Sequence, residues 1–293
     1  RTPPLAILSC LALIAAGGCG LFEARPAATG ARAAADSAHL YPRTEAFRRQ
    51  LAQARARGLT LTDYHIHIRG GMTPEKAAER QEASGIRSAV LENLGREWPL
   101  SNHVALAAFI DTVKRVRVDG KPLPVGVQVN DRDWHTRTDP ALLKRLDFVL
   151  ADTMIMGVTP EGKPRRLWLP DVVIDDPDAW MREYLAHNLR ILDEPVSILA
   201  NPTYLPPCIS NLYDRLWTDD RMRQVIAKAV AKGVALEVQA GSAYPKPRFL
   251  KLAKEMGAKF SFGSNNFDDK IKDPSRWFEV IEQFDLRPAD LWP

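Results

Sequence analysis

The chain has little cysteine, no histidine after His187, and no apolar run long enough to cross a bilayer comfortably. Three cysteines in 293 residues exclude a disulfide framework and any zinc site built on thiolates. Cys10 and Cys19 lie in or beside an apolar leader, which leaves Cys208 as the one thiol in the body of the chain. It follows Pro206-Pro207 with no base partner in view, so it reads as a packed or incidental residue, not a nucleophile. No phosphate-cradling glycine loop is present, and Gly241-Ser242 lacks the pattern of a nucleophile elbow. Nucleotide-driven motors, kinases and serine hydrolases are therefore not expected. The formal charge of +4 is small and is not gathered into a stripe. Arg48, Arg49, Arg55 and Arg57 are interspersed with Ala, Gln and Leu as on a solvated helix face, and no basic block is interleaved with aromatics, which argues against nucleic-acid binding.

What is present begins with an export-like leader. Residues 5–16 are apolar over about a dozen positions, too few for a membrane span, and end at Ala16-Gly17-Gly18-Cys19. Small residues before a cysteine are what a bacterial lipoprotein cleavage site offers. The expected organisation is a signal in residues 1–18, a lipidated Cys19, and an Ala-, Arg- and Gly-rich tether over 19–43. One folded domain then occupies 44–293. The protein is expected in the periplasm or at the cell surface, touching membrane only through the lipid.

From residue 59 onward, short apolar runs alternate with amphipathic stretches, the pattern of parallel strands joined by crossover helices. Seven strands are predicted, over 59–67, 88–92, 125–129, 148–151, 196–200, 234–238 and 259–262. Thr73 with Pro74 opens one helix and Gly85 follows its end. Met222, Val225, Ile226, Ala229 and Val230 form a helical stripe opened by Asp219 and Asp220 and closed at Lys232-Gly233. Asp273-Pro274 opens another, with Trp277, Val280, Ile281 and Phe284 on one face. The segment 153–176 interrupts the rhythm after the fourth strand, where a lid over a barrel site and a surface excursion packed by Trp168 are both open readings.

Asp63-Tyr64-His65-Ile66-His67 closes the first strand. Residues two apart on a strand share a face, so Asp63, His65 and His67 are expected to project together. Two imidazoles at this spacing can grip one divalent metal, and an acidic neighbour can orient a ring or add a ligand. The other strand ends are also polar: Glu92-Asn93, Gln128 with Asn130, Asp152, Asn201, Glu237 with Gln239, and Ser264-Asn265-Asn266. In parallel barrels chemistry collects at such ends. His135, in Asp131-Arg132-Asp133-Trp134-His135 past the third strand, is within reach of the same place; His39 and His187 read as incidental.

His65-x-His67 followed by Met72-Thr73-Pro74-Glu75 resembles the opening of the polymerase and histidinol phosphatase (PHP) superfamily. The runs Val234-Ala235-Leu236-Glu237-Val238-Gln239 and Phe260-Ser261-Phe262-Gly263-Ser264-Asn265-Asn266 are similar to its last strand–helix units. The resemblance spans residues 59–284. It implies an α/β fold, a distorted seven-stranded (β/α) TIM-like barrel, holding two or three divalent metals and hydrolysing phosphoesters. The departures share one direction. Thr73 stands where the family's third His belongs, Glu92-Asn93 replaces Asp-His, Gln128 replaces a Glu, Asn201-Pro202 replaces His-Pro, and Ser264-Asn265-Asn266-Phe267 replaces Ser-Asp-x-His.

Amides carry no charge, so they offset far less of a cation's dehydration cost than carboxylates do. The expectation is one ion, Zn or Mn, on His65, His67, Asp63 and Glu237, with Asp152, Glu237 and Asp63 as catalytic groups. Asn93, Gln128, Asn201, Gln239, Asn265, Asn266 and His135 are the expected substrate-binding residues. The ligand would be a small phosphoester or carbohydrate-like molecule, and the activity a metal-dependent hydrolysis. An alternative is a non-catalytic sugar- or polyol-binding barrel, since each amide both donates and accepts. An amidohydrolase-type hydrolase is a third, weakened by Asn201 and the missing late histidines.

Overall fold

The computed structural model describes residues 37–159 and 161–293. The leader, Cys19 and residues 19–36 of the tether lie outside the described residues. The seven predicted strands all form: β1 Thr62–His67, β2 Arg87–Leu94, β3 Val125–Val129, β4 Phe148–Asp152, β5 Ile198–Ala200, β6 Ala235–Gln239 and β7 Phe260–Gly263. They close a barrel in the order β1-β7-β6-β5-β4-β3-β2, every neighbouring pair parallel. Each crossover is long enough to carry helix, as parallel pairing requires. The longer helices are α1 Glu45–Ala56, α2 Pro74–Ser84, α3 His103–Arg115, α4 Pro177–Ile191, α5 Asp219–Lys232, α6 Pro247–Glu255 and α7 Ser275–Gln283.

The helix boundaries follow their caps. The Thr73 hydroxyl accepts from the Lys76 amide at 3.2 Å, Pro74 occupies the first helical turn, and Gly85 ends α2 with φ of 70°. Gly233 ends α5 the same way at φ 68°. The α5 stripe is buried at Met222, Val225, Ile226 and Ala229, but Val230 is exposed, the stripe being narrower than predicted.

Two apolar layers result. Outward-facing Ile66, Val90, Val127, Leu236 and Phe262 pack with helix residues such as Leu106, Ile110, Val225 and Trp277. Inside the barrel Tyr64, Ala89, Leu91, Phe148, Leu150, Ile198, Ala200 and Ala235 form a separate cluster, with Trp292 packed against it. Gly126 makes room there, because a Cβ would sit 2.5 Å from the Phe148 ring.

The start of the barrel unit differs from expectation. It begins at Ser37, and residues 37–43 pack on it instead of trailing as tether. His39, expected to be incidental, is 5% exposed, its Nε2 lies 2.7 Å from Glu79, and its carbonyl accepts from Arg80 at 2.6 Å.

Candidate functional site

The inward positions change character along each strand. On β2 they run Ala89, Leu91, Asn93; on β3 Gly126, Gln128; on β4 Phe148, Leu150, Asp152; on β6 Ala235, Glu237, Gln239. Apolar residues fill the N-terminal end, and amides and carboxylates gather at the C-terminal end.

There they close on one another. Glu237 Oε1 lies 2.5 Å from His65 Nδ1, and His65 Nε2 donates to Gln128 Oε1 at 2.9 Å. Gln128 Nε2 donates to Asp152 Oδ2 at 3.2 Å, and Asn201 Nδ2 donates to Asp152 Oδ1 at 3.1 Å. The Asn201 backbone amide then returns to Glu237 Oε2 at 3.1 Å, completing a ring. Asn201 reaches both neighbours because its backbone is left-handed, φ 51°, a conformation asparagine tolerates. Gln239 joins from above, donating to Asn201 Oδ1 at 2.8 Å. Gly263 permits the closure: a Cβ there would lie 2.2 Å from Glu237 Oε1 and 2.6 Å from the His65 Cβ.

Electrostatics follow from the ring. Burial opposes charge on His65, but the Glu237 charge and hydrogen bond, helped by Gln128 and Asp152, outweigh it and raise the imidazole pKa. Nδ1 meets a carboxylate oxygen and Nε2 an amide oxygen, so both ring nitrogens are placed to donate and the ring acts as a strut. Burial raises the Asp152 carboxyl despite its contacts to the Met154 amide and Asn201. His67 behaves oppositely. Burial, with the His65 and Arg69 charges, pushes it down to about 3, although Glu92 lies 3.7 Å from its Nδ1. Arg69 grips Glu92 with two nitrogens and holds that carboxylate's charge.

Asp63 does not share their face. The pairing of β1 with β2 shifts register between Asp63 and Ile66, a bulge that sends Tyr64 and His65 inward together and Asp63 outward. Its carboxylate accepts from Tyr41 Oη at 3.1 Å and from the Ser264 amide at 2.8 Å, and lies 3.6 Å from Arg80 Nη1. It ties the N-terminal segment and α2 to the barrel. Asn266 is likewise structural: its amide brackets the His67 backbone, accepting at 2.8 Å and donating at 3.1 Å.

These contacts decide how the residues fit a metal. His65 has no free nitrogen, Glu237 no free oxygen, and Asp63 points into the helix layer, so the expected four-ligand set is not assembled. No three His, Cys, Asp or Glu among the described residues are placed to hold a metal ion. A divalent ion does not fit this arrangement without breaking the ring.

Above the ring lies a cavity of about 460 Å³. Of the expected binding residues, Asn93, Gln128, Asn201, Gln239 and Asn265 line it, with Asp152 and His67. Asn266 and His135 do not; His135 sits in the single-turn helix Trp134–Arg137, edge-on to Trp134. Asp63, His65 and Glu237 also stay behind the lining. The segment 153–176 forms an antiparallel hairpin, Ile155–Val158 with Pro164–Arg166, and brings Met154, Ile155, Arg166 and Trp168 over the cavity, the lid-like arrangement of the two considered.

Sequence reasoning missed other residues on the walls: Arg69, Trp98, Tyr204, Phe267 and Lys272. Their signal was the concentration of aromatic and basic side chains just beyond strand ends. Arg166 stacks over Trp98 at 4.9 Å, Phe267 lies parallel to His67 at 6.3 Å, and Lys272 sits 5.1 Å over Phe267 while donating to the Asn265 carbonyl. Burial lowers the Lys272 pKa, against the pull of Glu237 and Asp268.

No family model matches the chain, and no curated protein matches it. Among solved structures it is similar to the carboxyl transferase domain from Rhizobium etli pyruvate carboxylase with oxalate, at 12% identity and a TM-score of 0.42. That match covers 87% of this chain and 42% of the other, so the chain spans less than half the length of that neighbour. Likeness at this level assigns no role to any residue.

Proposed function

We propose that the chain is a binding protein for a hydroxyl-rich small molecule, a sugar or polyol, held at the mouth of the barrel without a metal ion. One observation carries the reading. Three lining residues keep a buried polar atom without a hydrogen-bond partner within 3.5 Å: Trp98 Nε1, Asn93 Oδ1 and His67 Nδ1, the last 3.7 Å from Glu92. Each such group costs about 1–3 kcal/mol if left unmatched. A ligand bearing several hydroxyls answers donors and acceptors alike, and Gln239, Asn201 and Gln128 extend the same pattern across the floor. Trp98, Trp168, Tyr204 and Phe267 supply flat faces for the apolar sides of a ring. Arg166 and Lys272 facing the single lining carboxylate, Asp152, favour ligands that carry an acidic group, such as sugar acids.

The ring beneath gives this site a rigid floor, because every member is fixed by a neighbour from another strand. Binding therefore needs little reorganisation at the base, and the hairpin over it limits exchange with solvent.

The test is a thermal-shift and calorimetric panel of neutral sugars, sugar acids and polyols in chelator. At least one ligand should bind saturably, and Trp98→Ala should weaken it by about tenfold to a hundredfold. No binder in the panel, or binding only after a divalent metal is added, overturns the reading.

A further inference from the structure

A second cleft, about 370 Å³, lies on the other side of Ile155, between the hairpin and α4. Three arginines line it: Arg96, Arg132 and Arg190. Arg132 is anchored, its Nη1 3.2 Å from Glu194 and its Nε and Nη2 on the Asn130 and Val129 carbonyls. Arg190, on the last turn of α4, is exposed, and its guanidinium forms no hydrogen bond or ion pair among the described residues. Two acids share the lining. Asp131 is matched by Arg96 at 3.5 Å and Arg137 at 3.6 Å, while Glu97 is exposed toward solvent.

The deep wall is formed by Asn130 and His187, only 3% and 2% exposed, each with an unpartnered nitrogen. Asn130 Oδ1 accepts from Gln128 Nε2 at 3.4 Å, which fixes the amide and leaves Nδ2 as the free donor. His187 Nε2 lacks a partner, and burial together with the Arg132 and Arg190 charges pushes its imidazole down to about 3. A cleft that sets an unpaired guanidinium, Arg190, and the anchored Arg132 beside a buried neutral histidine and an unmatched buried amide donor is suited to an anion.

We infer that this cleft is an oxyanion site of the phosphate class, held by Arg190, Arg132 and Asn130 Nδ2 against the His187 ring. It is separate from the sugar-like ligand proposed above, although Asn130 and Gln128 connect the two walls. Guanidinium groups match tetrahedral oxyanions with paired donors, and a protonated phosphate oxygen can donate to a neutral imidazole.

The experiment is calorimetric titration with inorganic phosphate at constant ionic strength, alongside the His187 ring resonances in a two-dimensional NMR spectrum. Wild type should bind saturably and move the His187 signals. Arg190→Ala, which removes no hydrogen bond or ion pair among the described residues, should weaken binding by about tenfold or more and leave the unfolding temperature in phosphate-free buffer unchanged. The same variant should retain every sugar hit of the main cavity, so either idea can fail alone. Non-saturable heats, equal affinity in Arg190→Ala, or binding with a silent His187 overturns the site.

Discussion

The two ends of the barrel are made from the same seven strands and have opposite interiors. At the N-terminal end Tyr64, Phe148 and Trp292 close the lumen, Tyr64 meeting Phe148 edge-on at 5.5 Å and Trp292 at 4.9 Å. At the C-terminal end the lumen is capped by hydrogen-bonded polar groups that exclude water almost as well, since His65, Glu237 and Asp152 are each at most 4% exposed. The lesson is that burial alone does not separate core from site. An aromatic plug is held by area and relaxes when disturbed. A closed polar ring is held by direction, and losing one link strands the others.

That contrast is sharpest at two glycines. Gly263→Ala at the mouth drives a methyl into both His65 and Glu237, which have no other place to go. Separating a buried, hydrogen-bonded pair costs about 3–5 kcal/mol. Gly126→Ala at the plug meets the flat Phe148 ring, which can shift among apolar neighbours, and ordinary overpacking costs about 1–3 kcal/mol. Urea unfolding of the two variants should rank Gly263→Ala as the more damaging. A reversed order means the ring is not the brittle element.

A smaller effect separates the ends by pH. Only the mouth contains histidines, and they titrate in opposite directions. His67 is neutral when folded, with a pKa near 3, but takes a proton near pH 6.5 when unfolded. Its contribution is complete above that upper value and declines as pH falls through the window between the two, by about 1.4 kcal/mol per pH unit. His65, raised in the fold, has the reverse sign: its contribution is whole below its unfolded value and is lost as pH rises through its folded one. His67→Asn should flatten the acid limb of the stability–pH curve, and Glu237→Gln should remove the decline that His65 adds as pH rises above its unfolded value. Unfolding midpoints at intervals between about pH 4 and pH 8 read both slopes. A wild-type slope retained in His67→Asn would show that its imidazole is protonated in the fold.

Much of this was legible in the chain. Short apolar runs between amphipathic stretches located seven strands, and polar strand ends located most of the floor, because those signals are local. The position of Asp63 was not, since a bulge changes which face a residue takes without changing its spacing from His65 and His67. Nor was the closure of the ring: Gln128, Asn201 and Gln239 read as cavity amides, while their role as partners of His65 and Asp152 depends on cross-barrel distance. The wall residues Trp98, Tyr204 and Lys272 come from three separate loops, and nothing in their spacing says that the loops converge. His187 was read as incidental on its helix, and neither its burial nor the approach of Arg132 from another element shows in the local sequence.

The gentlest test lies at the closed end. Tyr64 donates its hydroxyl to the Pro293 carbonyl and packs its ring against Trp292. Tyr64→Phe keeps the ring and removes the donor, leaving a carbonyl at the rim that water can reach, so the cost should be about 1 kcal/mol, the net worth of one hydrogen bond. Because this end shares no polar link with the ring, sugar binding at the mouth and the pH slopes of His65 and His67 should be unchanged in the same variant. If either moved, the plug and the mouth would be coupled through the strands, and the separation of the barrel into a packed end and a working end would have to be given up.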